Sequence, residues 1–218
     1  MTTSLAELVS KAREYGPLTV SVAAAADEEV LLAIKEAREL GIATPLLVGP
    51  EQQIRELAST IDFDLTDVEI YDEPNTAGCA RRAVELVSSG KARLLMKGLM
   101  STADILRAVL DKEIGLRTGR VLSHVMLYEL SGYHRLFFLT DGGMNMFPDL
   151  KQKAEIVYNA VEVAHALGIA EPKVAALAAV EVVNPDMPST LDAAALAQMG
   201  ARGQIKGCLI DGPLALDN

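Results

Sequence analysis

The chain has 218 residues, half of them apolar, which is enough to bury a sizeable core as one large domain or two small ones. Charged residues make up 23% and are spread along the sequence, which excludes an intrinsically disordered composition or a charged tail. A net charge of -10 opposes nucleic-acid binding, which needs a basic footprint, and means that any anionic ligand must be held by a local cluster of cations and backbone N–H groups.

Leu5, Leu8, Val9 and Ala12 recur at helical spacing, which predicts an opening helix stopped near Gly16 and Pro17. The first residues lack the basic flank and apolar run of a secretory signal, and no stretch is apolar long enough to span a bilayer, so a cytoplasmic protein is expected. Leu18 to Ala23 is short and nearly all apolar, as in a parallel strand covered on both faces, and Asp27 offers an N-cap for a helix ending at Gly41. Pro45 to Val48 follows as a strand, Gln52 to Thr60 as a helix, Val68 to Tyr71 as a strand, Asn75 to Ser88 as a helix and Leu94 to Lys97 as a strand. This alternation predicts right-handed crossovers and a doubly wound parallel sheet.

After Leu110 the pattern changes. Val121 to Leu130 and Leu136 to Thr140 read as strands of a hairpin joined by Ser131 to His134. A helix from Leu150 to Leu167, a strand from Val174 to Val180, a helix from Leu191 to Met199 and a strand from Cys208 to Ile210 resume the α/β alternation. The expected partition is a first domain over 1–114 and a second over 115–218. Cys79 and Cys208 have no metal-ligand spacing and read as packed thiols.

Four loops could carry chemistry. Lys97-Gly98-Leu99-Met100-Ser101-Thr102-Ala103-Asp104 runs from the end of a strand into a helix, where N–H groups and Lys97 suit phosphate and Gly98 permits close approach. Ser101 and Thr102 equally suit a simple helix cap. In the segment 115–124, Arg117 and Arg120 offer guanidinium forks to phosphate oxygens. Ser123 and His124 are expected on opposite strand faces, and His124 suits either proton transfer or ordinary packing. In the segment 140–149, Asp141 and Asn145 can orient a ligand or a neighbouring loop, or form a turn capped by Asp149. The segment 181–190, with Pro185 and Pro188, is a pocket frame or a structural turn. Asp211 and Asp217 flank Gly212-Pro213 in an expected turn, too weak a signal for a metal, and none is expected.

From Lys97 to Asp149, and again from Glu162 to Asn218, the sequence resembles the phosphate acetyltransferase and butyryltransferase family, most of all its butyryltransferase branch. The resemblance is carried by DKEIGLRTGRVLSHV at 111–125, FFLTDGGMNMFPDLKQKAEIVYNAVEVAHALGI at 137–169, PKVAALAAVEVVNPDMPSTLDAAAL at 172–196 and GQIKGCLIDGPLALDN at 203–218. The first ninety residues agree more loosely. The resemblance implies two α/β domains with parallel or mixed sheets around a cleft, in the three-layer α/β/α manner of isocitrate and isopropylmalate dehydrogenases. It implies exchange of a short acyl group between coenzyme A and inorganic phosphate, with no permanently bound cofactor. It also implies a homo-oligomer whose acyl phosphate is consumed by butyrate kinase. Lys97, Gly98, Ser101, Thr102, Arg117, Arg120, Ser123, Asp141 and Asn145 would line the cleft, with the arginines neutralising phosphate. Family members normally continue past the segment matching 211–218 with a return carrying a serine-arginine motif and an aspartate, so a C-terminally shortened form is expected. A catalytically silent phosphate or acyl-CoA binder is the alternative function. A nicotinamide-dependent decarboxylating dehydrogenase on a related fold is a further rival, although no GxGxxG follows the first strand.

Overall fold

A computed structural model describes residues 2–216. The chain divides into two compact units, Val9–Gly119 and Met1–Leu8 with Arg120–Asn218. The division falls within α1 (Leu5–Tyr15).

In Val9–Gly119 the elements run β1 (Leu18–Ala23), α2 (Glu28–Glu39), β2 (Ala43–Gly49), α3 (Glu51–Thr60), β3 (Glu69–Asp72), α4 (Thr76–Ser88), β4 (Leu94–Lys97) and α5 (Thr102–Val109). The four strands form one parallel sheet in the order β3-β2-β1-β4. Strand sequences without a polar alternation, such as Pro45-Leu46-Leu47-Val48, demand apolar cover on both faces. One face packs Val20, Val22 and Leu47 with Leu31, Ile34 and Ile54 of α2 and α3. The other packs Ala23, Leu46 and Val48 with Cys79, Ala83 and Val84 of α4 and Ile105 of α5. Leu31, Leu47 and Ile54 are fully buried, each contributing about 2 kcal/mol of apolar transfer. The helix starts follow from side chains: Asp27 Oδ1 accepts from Val30 N at 3.0 Å and Asn75 Oδ1 from Gly78 N at 2.7 Å.

The second unit holds β5 (Met126–Tyr128), β6 (Phe137–Leu139), α6 (Leu150–Ala166), β7 (Lys173–Leu177), α7 (Pro188–Ala201) and β8 (Leu209–Leu214). β5 and β6 pair antiparallel, while β7 and β8 form a separate parallel pair. Its core gathers Ala154, Val157 and Val161 of α6, Leu196 of α7 and Ile205, with Val174 and Ile210 against them. α6 begins with a reciprocal capping box, Asp149 accepting from Gln152 N at 2.8 Å and Asp149 N donating to Gln152 Oε1 at 2.9 Å.

Three sequence expectations change here. The strand expected from Val121 to Leu130 reduces to Met126–Tyr128, so Ser123 and His124 do not lie on a strand. The backbone before Met126 bonds instead to side chains of α6 and to Asp141. The strand expected to reach Val180 ends at Leu177. Gly212-Pro213 lies inside β8 rather than in a turn, through a cis peptide. Proline is tolerated there because the pairing of β7 with β8 shifts register between Ala175 and Leu177, so Gly212 and Pro213 sit at a bulge in the ladder. Gly212 is needed at that place, since a Cβ would fall 2.8 Å from Ala176 O. Asp217 lies outside the described residues. Among those described, no helix is long and apolar enough to cross a membrane, and no group of His, Cys, Asp and Glu is placed to hold a metal ion.

Candidate active site

The sequence-derived candidates fall into two groups, one in each unit. The first holds Lys97, Gly98, Ser101 and Thr102 at the carboxyl end of β4, beside that of β1, with Arg117 in the same unit. Because β2 lies on one side of β1 and β4 on the other, successive crossovers leave in opposite directions there, which is where open α/β sheets take ligands. Gly98 N donates to Ala23 O at 2.8 Å and Leu99 N to Ala24 O at 3.1 Å, so the loop leaving β4 is laid against the loop leaving β1. A Cβ on Gly98 would sit 2.3 Å from Ala24 O and 2.5 Å from Ala23 O. Only glycine fits that approach. Ala24 itself carries a φ of 52°, a left-handed conformation uncommon outside glycine.

Lys97 is exposed, and its Nζ donates to Met100 O at 2.9 Å and Gly98 O at 3.2 Å. Two of the ammonium's three N–H groups hold the loop and the third has no partner among the described residues. Ser101 is the N-cap of α5: its Oγ accepts from Asp104 N at 3.1 Å and donates to Asp104 Oδ2 at 2.7 Å. Hydrogen bonds from Ser101 and Arg107 lower the pKa of Asp104. Thr102 opens the helix with an exposed side chain. Arg117 is also exposed and makes no ion pair or hydrogen bond among the described residues.

The second group is held by side chains. Asp141 accepts from Asn145 Nδ2 at 2.6 Å, Asn145 N at 2.9 Å, and His124 N and Met144 N at 3.2 Å each. Burial raises its pKa, but the Asn145 amide and the three backbone donors outweigh burial and the net shift is downward. Asn145 Nδ2 also donates to Leu122 O at 3.0 Å, and Thr140 Oγ1 to His124 O at 2.7 Å. Asp141 and Asn145 therefore tie segment 140–145 to segment 122–124. The exposed His124 imidazole lies over Gly142, where a Cβ would come 3.3 Å from Nδ1.

Arg120 differs from Arg117. Its Nη1 donates to Glu162 Oε1 and its Nη2 to Asn159 Oδ1, both at 2.8 Å. Asn159 Nδ2 in turn donates to Ser123 Oγ at 2.8 Å and Val121 O at 2.9 Å, and Glu155 Oε2 accepts from Val121 N at 2.8 Å. Sequence reasoning did not single out Glu155, Asn159 and Glu162. Their i, i+4, i+7 spacing, which marks one polar face of α6, was the available signal. The segment 181–190 is a structural turn: buried Thr190 Oγ1 accepts from Asn184 N at 2.9 Å and donates to Met187 O at 2.8 Å or Asn184 O at 3.0 Å.

Both groups suit oxyanions, through cations and loop N–H groups in the first and hydroxyl, imidazole and guanidinium in the second. Comparison with known proteins gives this chemistry a context. The chain is 54% identical over 217 residues to the phosphate butyryltransferase of Clostridium acetobutylicum, covering 100% of this chain and 72% of that protein. It is 47% identical over 214 residues to a probable phosphate butyryltransferase of Bacillus subtilis, covering 98% and 71%. Its fold superposes on the crystal structure of a branched-chain phosphotransacylase from Enterococcus faecalis V583 with a TM-score of 0.75 and 32% identity, over 92% of this chain and 70% of that one. Residues 76–218 match the family model described as phosphate acetyl/butaryl transferase, and the chain belongs to that family.

Proposed function

We propose that this protein is a phosphotransacylase that moves a butyryl or branched short-chain acyl group between coenzyme A and inorganic phosphate. The observation that carries this reading is 54% identity to a phosphate butyryltransferase along the whole chain. In the direction of acyl phosphate formation, a phosphate oxygen attacks the thioester carbonyl. The new C–O bond replaces the C–S bond, and the sulfur leaves as thiolate and takes a proton. Coenzyme A is a substrate and no resident cofactor is required.

The geometry supports distinct roles. The Lys97 ammonium and the Arg117 guanidinium, each with N–H groups that have no partner among the described residues, supply positive charge against the chain's net charge of -10. Gly98 brings the backbone close, and the first N–H groups of α5, beginning at Thr102, add donors for an anion. Ser101 acts as the helix cap. Ser123 and His124 face substrate, Arg120 contributes charge, and Asp141 with Asn145 organises the loop beneath them. Asp141 is a poor general base, because its carboxylate already accepts four hydrogen bonds and its pKa is lowered. A cytoplasmic homo-oligomer whose acyl phosphate passes to butyrate kinase completes the proposal.

The test is thiol release from butyryl-CoA by the purified chain with and without phosphate. Phosphate-dependent release is expected, faster with butyryl-CoA than with acetyl-CoA. Phosphate binding without release would instead favour a silent binder.

A further inference from the structure

We infer that Asn159 is a positioning residue that fixes the direction of the Ser123 hydroxyl toward phosphate. The inference rests on the phosphotransacylase reading above and names a residue outside the loops that touch substrate in it. Asn159 stands mid-way along α6, four residues after Glu155 and three before Glu162, so the three side chains share one face. That face grips segment 120–123 at five atoms: Arg120 Nη1 and Nη2, Val121 N, Val121 O and Ser123 Oγ.

The donor and acceptor inventory decides the consequence. A side-chain amide has two N–H donors on nitrogen and an acceptor oxygen. Both donors of Asn159 are used, one on Val121 O and one on Ser123 Oγ, while its oxygen accepts from Arg120. Reversing the amide would set its NH2 against the guanidinium, so the orientation is fixed by chemistry. Ser123 Oγ, receiving a hydrogen bond from Asn159, keeps its own hydrogen for another acceptor. No acceptor takes that hydrogen among the described residues, and Ser123 is only half-buried. Asn159 therefore makes Ser123 a donor toward an arriving oxyanion. A carboxylate at the same place would do the opposite, accepting the Ser123 hydrogen and turning it away.

Asn159→Asp is nearly isosteric and reverses that polarity. In the phosphate-dependent thiol-release assay, it should raise the phosphate KM by about tenfold and the butyryl-CoA KM by less than about twofold, with the unfolding midpoint held. In a Ser123→Ala background the same substitution should change the phosphate KM by less than about twofold, because the hydroxyl it acts through is gone. Asn159→Gln, which keeps the amide but moves it by one methylene, should show a smaller rise and serves if N159D does not fold. An unchanged phosphate KM, or an effect undiminished by S123A, would overturn the inference while leaving the functional reading intact. If the unsubstituted chain shows no turnover, the functional reading fails separately, and calorimetric titration with inorganic phosphate decides: Ser123-dependent weakening by N159D supports the positioning role, and equal affinity overturns it.

Discussion

In the unit Val9–Gly119 the candidate residues are placed by backbone, whereas in the unit containing Arg120 onward they are placed by side chains. Gly98 reaches its position because β4 pairs with β1 and the loop leaving β4 donates main-chain hydrogen bonds to Ala23 O and Ala24 O over a core filled on both faces. Segment 120–124 pairs with no strand among the described residues. It is suspended from Glu155, Asn159 and Glu162 on one side and from Asp141 and Thr140 on the other. The first arrangement tolerates changes in side-chain chemistry but not in bulk. The second tolerates bulk at its exposed rim but not a reversal of donor and acceptor.

Gly98→Ala probes the first arrangement most severely. The added Cβ meets backbone carbonyls that cannot rotate away, so a loss of about 2 to 3 kcal/mol in denaturant unfolding is expected. A loss below about 0.5 kcal/mol would mean that the β1 and β4 loops are not closely apposed. Asp141→Asn probes the second. It replaces one acceptor oxygen by a donor facing the Asn145 amide or a backbone N–H, with an expected cost of about 1 to 3 kcal/mol. Because the folded pKa of Asp141 is lowered, its carboxylate contributes stability above the unfolded value of about 3.9, which is lost as pH falls through the folded pKa. The unsubstituted protein should therefore lose more stability than D141N between about pH 5 and pH 2, measured by urea midpoints. Equal acid slopes would remove Asp141 from the network.

The paired arginines give the smallest and sharpest contrast. Arg120→Ala breaks an exposed ion pair and a bond to Asn159, for about 0.5 to 1 kcal/mol of stability. Arg117→Ala should leave stability within about 0.5 kcal/mol while raising the phosphate KM, since Arg117 has no hydrogen-bond or ion-pair partner among the described residues. A stability loss for R117A equal to that for R120A would erase the distinction.

What the sequence disclosed follows the same division. β1, β4 and the Ser101 and Asp149 caps are legible because local signals decide them: uninterrupted apolar runs and side chains that bond three residues ahead. Val121-Leu122-Ser123-His124-Val125 alternates like a strand, yet its hydrogen bonds go to residues 16 to 38 positions away, which no local pattern records. Asn159 and Glu162 look like a solvated helix face until Arg120 is seen to fold onto them. Pro213 reads as a turn because proline interrupts a regular ladder, and only the strand pairing reveals the register shift that admits it within β8. Lys97 and Arg117 look alike in sequence, both being cations within two residues of a glycine, but only the structure distinguishes the one anchored to carbonyls from the one with no hydrogen bond or ion pair among the described residues.

The first residues of the chain belong with the last unit rather than with the sheet that follows them in sequence. Thr2 N donates to Leu167 O at 2.9 Å, and Leu5 N to Glu129 Oε2 at 2.8 Å across 124 positions. During synthesis these partners leave the ribosome only after the whole Val9–Gly119 unit has done so, and that unit can close while residues 2–8 still wait. An affinity tag placed ahead of Thr2 would accordingly burden the unit carrying Arg120 and Asp141, the one farther away in sequence.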